Sequence, residues 1–260
     1  MAAEATTATA PAAPTLLLDA GTGIRRVSAT LGSRPFLGTI LLTHLHWDHT
    51  QGIPFFQNGD RPDARIDLYL PPQGDGASAE GVLERMMSPP FFPILPGDLR
   101  GTWTFDVLPG SAFSDHGFDA EGFRILAREV PHKGGSTVGY RISDGQSAIA
   151  YLPDHCPTVL GPGPDGLGEY HPAAMELAQG VDLLIHDANL LHEELAAQAS
   201  FGHAAADYAV RLGERSGAKK VVLFHHRQDR SDDAIDTLVN AFSAAAVPVV
   251  AAADGLEFVL

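Results

Sequence analysis

Four candidate metal ligands stand within six residues of this 260-residue chain, at residues 44–49 (HLHWDH). The residues just before them, 38–43 (GTILLT), form a short apolar run that predicts a buried strand. Side chains alternate in direction along extended chain, so His44 and His46 can point the same way, while Asp48 and His49 on the following turn reach a second point nearby. Imidazole and carboxylate groups suit zinc, manganese or iron. The segment therefore predicts a metal site rather than a surface cluster of histidines without function.

Four later residues are further candidates for the same site. His132, Asp154 and His225 each follow a predicted strand, and His203 stands at the start of a predicted helix, residues 203–215. A catalytic metal site usually takes ligands from several parts of the chain and keeps a position open for water. Because the ends of neighbouring strands lie along one edge of a sheet, we expect these residues to meet the 44–49 segment.

The hydrophobic pattern predicts an α/β protein with a β-rich middle and alternating strands and helices in its last third. We find no internal repeat and no clear linker, so we expect one domain over residues 15–260, preceded by a disordered tail at 1–14. Strands are predicted at 16–20, 38–43, 66–70, 103–108, 123–130, 137–142, 148–152, 181–186, 220–224 and 247–252, and helices at 79–87, 203–215 and 232–245.

Composition excludes several classes of protein. The net charge of −15 argues against broad nucleic-acid binding, which needs a basic surface. The single cysteine, Cys156, cannot form an internal disulfide, which indicates a cytoplasmic protein. No apolar run reaches the roughly 18 residues of a membrane-spanning helix, so no membrane partner is expected.

The segment from Thr43 to Gly52 resembles the signature of the metallo-β-lactamase superfamily. Three further segments are similar to the branch that contains ribonuclease Z and cyclic-nucleotide phosphodiesterases: residues 19–23 (DAGTG), 186–188 (HDA) and 202–204 (GHA). The resemblance extends from about Leu16 to the C-terminus. It implies a four-layer αβ/βα sandwich, the metallo-β-lactamase fold.

The resemblance also implies a role for each candidate residue. One metal would be held by His44, His46 and His132. The other would be held by Asp48, His49 and His225, with His226 as the runner-up for the last position, and Asp154 would bridge the two ions. His203 would lie near the scissile phosphate as proton donor or phosphate ligand, and Asp48 would also orient the nucleophile. The implied cofactors are two divalent ions, zinc first, with manganese or iron as alternatives.

The expected activity is hydrolysis of a small phosphodiester or nucleotide substrate by a metal-bridging hydroxide. Two alternatives stay open. One is a metal-dependent hydrolase of a lactone, thioester or β-lactam, and the other is a non-catalytic accessory protein on the same scaffold. The long arm with which ribonuclease Z grips transfer RNA is not evident here, which weakens the transfer-RNA interpretation.

The resemblance implies a longer pair of N-terminal strands than the alanine-rich tail before residues 19–23 provides, so we expect an incomplete first sheet. The first sheet would then have an exposed edge unless the tail or a second subunit covers it, so a homodimer stays open. His186 and Asp187 either support the ligands or form a strand-end turn. Cys156 is expected to be a small buried apolar residue. Lys133 and Arg227 either contact a substrate phosphate or are surface charges.

Overall fold

Two β-sheets packed face to face, with helices on their outer faces, make up this computed structural model, which describes residues 13–74 and 76–260. The tail predicted at 1–14 lies outside the described residues except for its last two. The strands are β1 Leu16–Leu18, β2 Leu37–Leu41, β3 Arg65–Leu70, β4 Thr102–Val107, β5 Phe118–Ala120, β6 Phe123–Glu129, β7 Val138–Ser143, β8 Ala148–Leu152, β9 Leu183–Asp187, β10 Val221–Phe224 and β11 Val249–Ala251. The helices are α1 Ile24–Leu31, α2 Trp47–Thr50, α3 Ala79–Glu84, α4 Pro172–Ala178, α5 His192–Gln198, α6 Ala206–Ser216 and α7 Asp232–Ala241.

The strand order places many strand ends along one edge. The first sheet has four parallel strands in the order β1-β2-β3-β4. The second has seven, in the order β11-β10-β9-β8-β7-β6-β5, with β8 to β11 parallel and β5 to β8 antiparallel. Because parallel strands end at the same side of a sheet, the residues that follow them are brought close together.

Alternation of side chains along the strands produces the layers. In β3, Ile66 and Leu68 pack with residues of α1 and α3, while Tyr69 faces the other sheet. In β8, Ala150 and Leu152 pack under α4 and α6, while Tyr151 faces the first sheet. This period of two creates three separate apolar cores, one between the sheets and one under each helical layer. The result is the expected four-layer sandwich.

The first sheet ends at β1 within the described residues, and β1 pairs there with β2 alone. Its three leucines are half-buried. Among the described residues the first sheet therefore has four strands and the second has seven. None of the helices among the described residues is long and apolar enough to cross a membrane.

Several predicted boundaries are wrong, and one of them concerns the site. The helix predicted to start at His203 begins at Ala206, because Ala205 first forms a β-bridge with Leu190. The backbone N–H of Ala206 donates to the carbonyl of Leu190, which satisfies that group before the helix begins. The helices predicted at 79–87 and 232–245 are shorter, and helices α1, α4 and α5 and strand β5 were not predicted.

Candidate metal centre

The 44–49 segment leaves the first sheet at the end of β2. Leu41 is the last strand residue, and residues 42–46 connect β2 to α2 with a bend at Thr43. His46 keeps an extended conformation, with φ −64° and ψ 153°, and is the N-cap of α2. The alternation that we expected for His44 and His46 therefore occurs just beyond the strand. Asp48 and His49 lie on the single turn of α2, as expected.

The remaining candidates come from the second sheet and its connections. Asp154 follows β8, and His225 directly follows β10. His132 follows β6, and His203 lies between α5 and α6. All of them meet the 44–49 segment in the space between the strand ends of the two sheets, so the structure brings together every residue that the sequence singled out for the site.

Asp154 stands at the centre of the cluster, and its two oxygens face different histidines. Oδ2 lies 3.7 Å from Nε2 of His44 and 3.4 Å from Nε2 of His132. Oδ1 lies 3.1 Å from Nε2 of His49 and 3.5 Å from Nδ1 of His225. A carboxylate placed in this way can bridge two cations.

Two sets of ligand atoms surround this carboxylate. His44, His46, His132 and Asp154 form one set, whose ligand atoms all lie within 4.8 Å of one another. Nδ1 of His46 and Nε2 of His132 are 3.3 Å apart within it. A second set, whose ligand atoms also lie within 4.8 Å of one another, consists of Asp48, His49 and His225.

Three buried atoms test whether a metal fits. Nε2 of His44, Nε2 of His49 and Oδ1 of Asp154 make no hydrogen bond within the part of the chain that the structure describes. His49 and Asp154 come within 3.1 Å, yet not in the direction of a hydrogen bond. Burying polar atoms without partners is costly, and such atoms converging on one space are explained by a ligand that binds lone pairs. The side chains present therefore fit divalent cations.

Neighbouring acceptors fix the orientation of two histidine rings. Nδ1 of His132 donates to the carbonyl of Gly202 at 2.7 Å. Because a carbonyl can only accept, this nitrogen carries the proton and Nε2 presents a lone pair to the cluster. Nδ1 of His49 donates to Oδ2 of Asp19 at 2.8 Å, which directs the Nε2 of His49 toward Asp154.

Asp19 has a buried carboxylate to which the sequence analysis assigned no role. Its carboxylate accepts from His49, from the backbone N–H and hydroxyl of Thr43, and from the hydroxyl of Tyr151 at 2.9 Å. The available signal was its position directly after β1, the same strand-end position that identified Asp154. Asp19 thus connects the first sheet, the 44–49 segment and the second sheet beside the cluster.

Burial and the nearby carboxylates shift the pKa values of the cluster's side chains in opposite directions. Burial alone would lower the pKa of His49, but the nearby carboxylates of Asp154, Asp19 and Asp48 raise it to about 12. Burial, and then the positive charge of His49, lower the pKa of His44 to about 3. His49 lowers the pKa of Asp48 to about 2. Ionised carboxylates surrounding one buried space make that space favourable for cations.

A second carboxylate, Asp187, holds His203. Burial would lower the pKa of the His203 imidazole, but Asp187 raises it through a hydrogen bond from His203 Nδ1 to Asp187 Oδ2 at 3.0 Å. The sequence analysis left open whether Asp187 supports the ligands or forms a strand-end turn. In the structure, Asp187 accepts the hydrogen bond from His203. His203 is also within reach of a ligand set with Asp154 and His225, so its position is compatible with proton transfer and with metal binding.

Unusual backbone conformations occur at the site. Asp19 has φ 60° and His225 has φ 58°, in the left-handed region that costs energy for residues with a Cβ. Gly134 has φ 91°, and a Cβ there would lie 2.8 Å from Nε2 of His46. Only glycine meets both requirements at that position, which follows His132 and Lys133.

Other residues noted in the sequence lie around the cluster. Cys156 is buried, with Sγ 3.6 Å from the carbonyl of Ala199. His186 is buried and contacts the ring of His155. His226 belongs to none of the possible metal-ligand groups among the described residues. The charge of Arg227 is compensated by Asp229.

The comparisons with known proteins agree with this architecture. A ribonuclease Z of Nocardia farcinica is 28% identical over 243 residues, which cover 82% of this chain and 78% of that protein. The metallo-beta-lactamase fold protein YhfI from Bacillus subtilis superposes with a TM-score of 0.64 at 19% identity, covering 93% of this chain and 85% of YhfI. Zn²⁺-bound PqqB from Methylobacterium extorquens gives a TM-score of 0.60 at 19% identity, covering 94% and 83%.

A family profile described as "Beta-lactamase superfamily domain" matches residues 15–226, which is most of the chain and includes all the candidate residues of the cluster. The likeness to solved structures shows the same metallo-β-lactamase fold. The chain belongs to the beta-lactamase superfamily.

Proposed function

We propose that this protein is a binuclear metal-dependent phosphodiesterase. The observation that carries the proposal is the position of Asp154, whose two oxygens face two different groups of histidines at 3.1–3.7 Å. One bridging carboxylate between two ligand sets is what a pair of closely spaced cations requires. Each ligand set also includes histidine nitrogens, which suit first-row divalent metals.

The ligands divide into two groups in this proposal. His44, His46 and His132 would hold one ion, and Asp48, His49 and His225 would hold the other. Asp154 would be shared by the two groups. Zinc is the metal that we propose, because imidazole and carboxylate ligands without thiolate suit it and PqqB of the same fold binds Zn²⁺. Manganese and iron are the alternatives that metal analysis distinguishes.

When bound, divalent ions would supply Lewis acidity and would lower the pKa of a bound water. The protein's own residues do the rest. Asp48 is half exposed, with 50% of its side chain accessible, and is therefore placed to orient an entering water as well as to bind metal. Asp19 fixes the ring of His49 through the hydrogen bond at Nδ1, so that its other nitrogen stays directed at the cluster.

His203 is the general acid in this scheme. Asp187 favours the protonated imidazole, and His203 lines a cavity beside the cluster, so its ring is accessible to a substrate there. A protonated imidazole next to a phosphodiester can neutralise a phosphate oxygen or protonate the leaving group. His203 therefore has a role distinct from that of the ligands, although it comes close to them.

A phosphodiester is favoured over a carbonyl substrate for two reasons. The relative in Nocardia farcinica is a ribonuclease Z, an enzyme named for cutting RNA. A phosphodiester also carries a negative charge, which a site with a protonated His203 beside bound cations can stabilise. The net charge of −15 favours a small substrate over a long nucleic acid, because the protein lacks an excess of basic residues to neutralise many phosphates.

The test combines metal analysis with a substrate scan. The purified protein is stripped, reloaded separately with zinc, manganese or iron(II), and analysed for bound metal. Each form is then given bis(p-nitrophenyl) phosphate, a lactone and a thioester. We expect about two ions per chain at saturation and turnover of the phosphodiester alone. Turnover of the lactone or thioester instead would replace the proposal with a carbonyl hydrolase, and no turnover with both ions bound would indicate an accessory protein.

A further inference from the structure

Two cavities border the candidate metal centre, and a third adjoins one of them. The central cavity, about 470 Å³, is bordered by Asp48, His49 and His225. It shares His225 and Gln228 with a cavity of about 680 Å³ on one side. It shares Thr22 with a cavity of about 830 Å³ on the other side. These shared residues place the three cavities side by side, so that together they form one groove beside the cluster.

The first side of the groove, which we name the Phe201 arm, is aromatic, and its positively charged side chains are paired with carboxylates. The phenyl ring of Phe201 is 61% exposed and borders the cavity together with His203. Three side-chain amides, those of Asn189, Gln198 and Gln228, also border it. Arg227 carries the positive charge there, but its guanidinium donates to Asp229 and to Gln198. This arm therefore offers a stacking surface and amide hydrogen bonds, without an uncompensated cation.

The second side, which we name the Phe55 arm, has an aromatic ring and a free cation. Phe55 is 58% exposed, and Phe92 contacts it edge-on with ring centroids 5.8 Å apart. Arg100 borders the same cavity, but its guanidinium is paired with Asp60 at 2.8 Å. Arg25 is exposed and has no carboxylate partner among residues 13–74 and 76–260. The Phe55 arm thus adds a positive charge that the Phe201 arm lacks.

We infer that the substrate is a linear phosphodiester of dinucleotide size with an aromatic base on each side of the scissile phosphate and a terminal phosphate at Arg25. The inference rests on the proposed phosphodiesterase activity. Each arm has a volume within the roughly 300–1,000 Å³ of a small-molecule site, so each can hold one nucleoside. Stacking on Phe201 and Phe55 is tolerant of base identity, since every base has an aromatic face. A cyclic mononucleotide, with a single base, would occupy one arm and leave the other empty.

The experiment compares substrates and matched variants of the metal-loaded protein. Values of kcat/KM are measured for a linear dinucleotide with a terminal phosphate, the same dinucleotide without it, and cyclic AMP. We expect Phe201→Leu and Phe55→Leu each to lower kcat/KM for the linear dinucleotide by about tenfold, the loss expected for one stacked base. The ratio of linear to cyclic kcat/KM should fall only in the variant of the arm that cyclic AMP leaves empty. Arg25→Gln should remove most of the preference for the terminal phosphate. Leucine keeps an apolar side chain of similar volume, so the fold should be retained.

The chain offers a close control for each change. Phe91 is 82% exposed and borders none of the three cavities, so Phe91→Leu should leave both ratios unchanged. Arg26 is the neighbour of Arg25 and pairs with Asp254, so Arg26→Gln should also leave them unchanged. Binding is measured separately with a dinucleotide that contains 2-aminopurine and a non-cleavable phosphonate link. Its Kd should rise in the Phe55→Leu and Phe201→Leu variants.

The outcomes separate this inference from the proposed activity. If the metal-loaded protein fails to hydrolyse bis(p-nitrophenyl) phosphate, the phosphodiesterase proposal itself fails. If it hydrolyses that compound but cleaves cyclic AMP as efficiently as the linear dinucleotide, the activity stands and the linear substrate is wrong. Equal losses in the Phe91→Leu or Arg26→Gln controls would also overturn the assignment of the two arms.

Discussion

The carboxylate of Asp187 and the imidazole of His203 are joined by a hydrogen bond of 3.0 Å, and the Asp187 side chain is wholly buried. The same carboxylate oxygen accepts from the backbone N–H groups of His155 and Ala204. These backbone contacts fix the carboxylate at the end of β9, so it fixes the ring of His203 in turn. A rigid pair of this kind supports an acid that must meet a substrate in one orientation.

The first prediction separates catalysis from metal binding at His203. His203→Ala should keep about two metal ions per chain while phosphodiester turnover falls by about two to three orders of magnitude, the usual contribution of one general acid or oxyanion donor. His46→Ala should lower metal content as well as turnover, because it removes a proposed ligand. Bound metal and turnover are measured under the same conditions. Loss of metal in His203→Ala would make it a ligand, and full turnover would remove it from the mechanism.

Asp187→Asn gives the second prediction. Asparagine keeps the size of the side chain but loses the negative charge that raises the pKa of His203. We expect a loss of turnover of about 10- to 100-fold with normal metal content. The alkaline limb of the pH–rate profile should move to lower pH, since the imidazole loses its proton more easily. Asp119→Asn, on an exposed side chain of β5, is the control. A profile that stays in place would mean that Asp187 only supports the fold.

Asp19→Asn is the third prediction, and it concerns metal affinity. Asp19 accepts from Nδ1 of His49, and residues in that position usually contribute about 10- to 100-fold to metal affinity. We expect zinc titration of the variant to show one weakened site, that of Asp48, His49 and His225, with the other site unchanged. Uniform weakening of both sites would instead indicate a general disturbance around the buried Asp19 carboxylate.

The sequence could predict which residues lie close together because of where they stand in the chain. His132, Asp154 and His225 each follow a strand, and strands that run in the same direction end at the same edge of the sheet. The roles of Asp19 and Asp187 could not be deduced in the same way. Their partners, His49 and Tyr151 for Asp19 and His203 for Asp187, are distant in sequence, and only the packing of the two sheets makes them neighbours.

Element boundaries were less predictable for a physical reason. Helix α6 begins at Ala206 rather than at His203, because Leu190, in the connection between β9 and α5, forms a β-bridge with Ala205. Such a contact between two loops has no local pattern in the sequence. Arg25 and Phe55 border a cavity in the half of the molecule that contains the first sheet, and Phe201 borders one in the other half, so the sequence could not assign the three to one groove.

The fourth prediction concerns the stability of the metal-free protein in mild acid. His155 is fully buried, and burial, followed by the charge of His186, holds its pKa well below the ordinary value. Burial also lowers the pKa of His186, and that of His44 falls to about 3. These rings stay neutral in the folded state but become protonated in the unfolded state near pH 6.5. Their stabilising effect is complete above about pH 6.5 and is lost as the pH falls below it.

The two histidines with raised pKa values, His49 and His203, affect the stability of the protein in a different pH range. His49, with a pKa of about 12, and His203 are protonated in both the folded and the unfolded state below about pH 6.5. They therefore do not change the pH dependence of the free energy of unfolding there, and the stability that they contribute is lost as the pH rises above about 6.5. Urea unfolding in the presence of a chelator should therefore show a free energy of unfolding that decreases from pH 6.5 to pH 5. His186→Gln should decrease less over that interval, and an equal slope would show that His186 does not titrate on unfolding.

The last prediction distinguishes the adjacent residues His225 and His226, of which the resemblance favours His225. β10 ends at Phe224, and the left-handed backbone of His225 turns its ring toward the cluster, with Nδ1 3.5 Å from Oδ1 of Asp154 and Nε2 3.9 Å from Oδ2 of Asp48. His226 borders the groove but joins no ligand set in the described part of the chain. His225→Ala should therefore reduce zinc content from about two ions to about one at saturation, while His226→Ala retains both. Elemental analysis after equilibration at one free zinc concentration measures the difference. If His226→Ala is the variant that loses an ion, the proposed second metal site must be reassigned to that histidine.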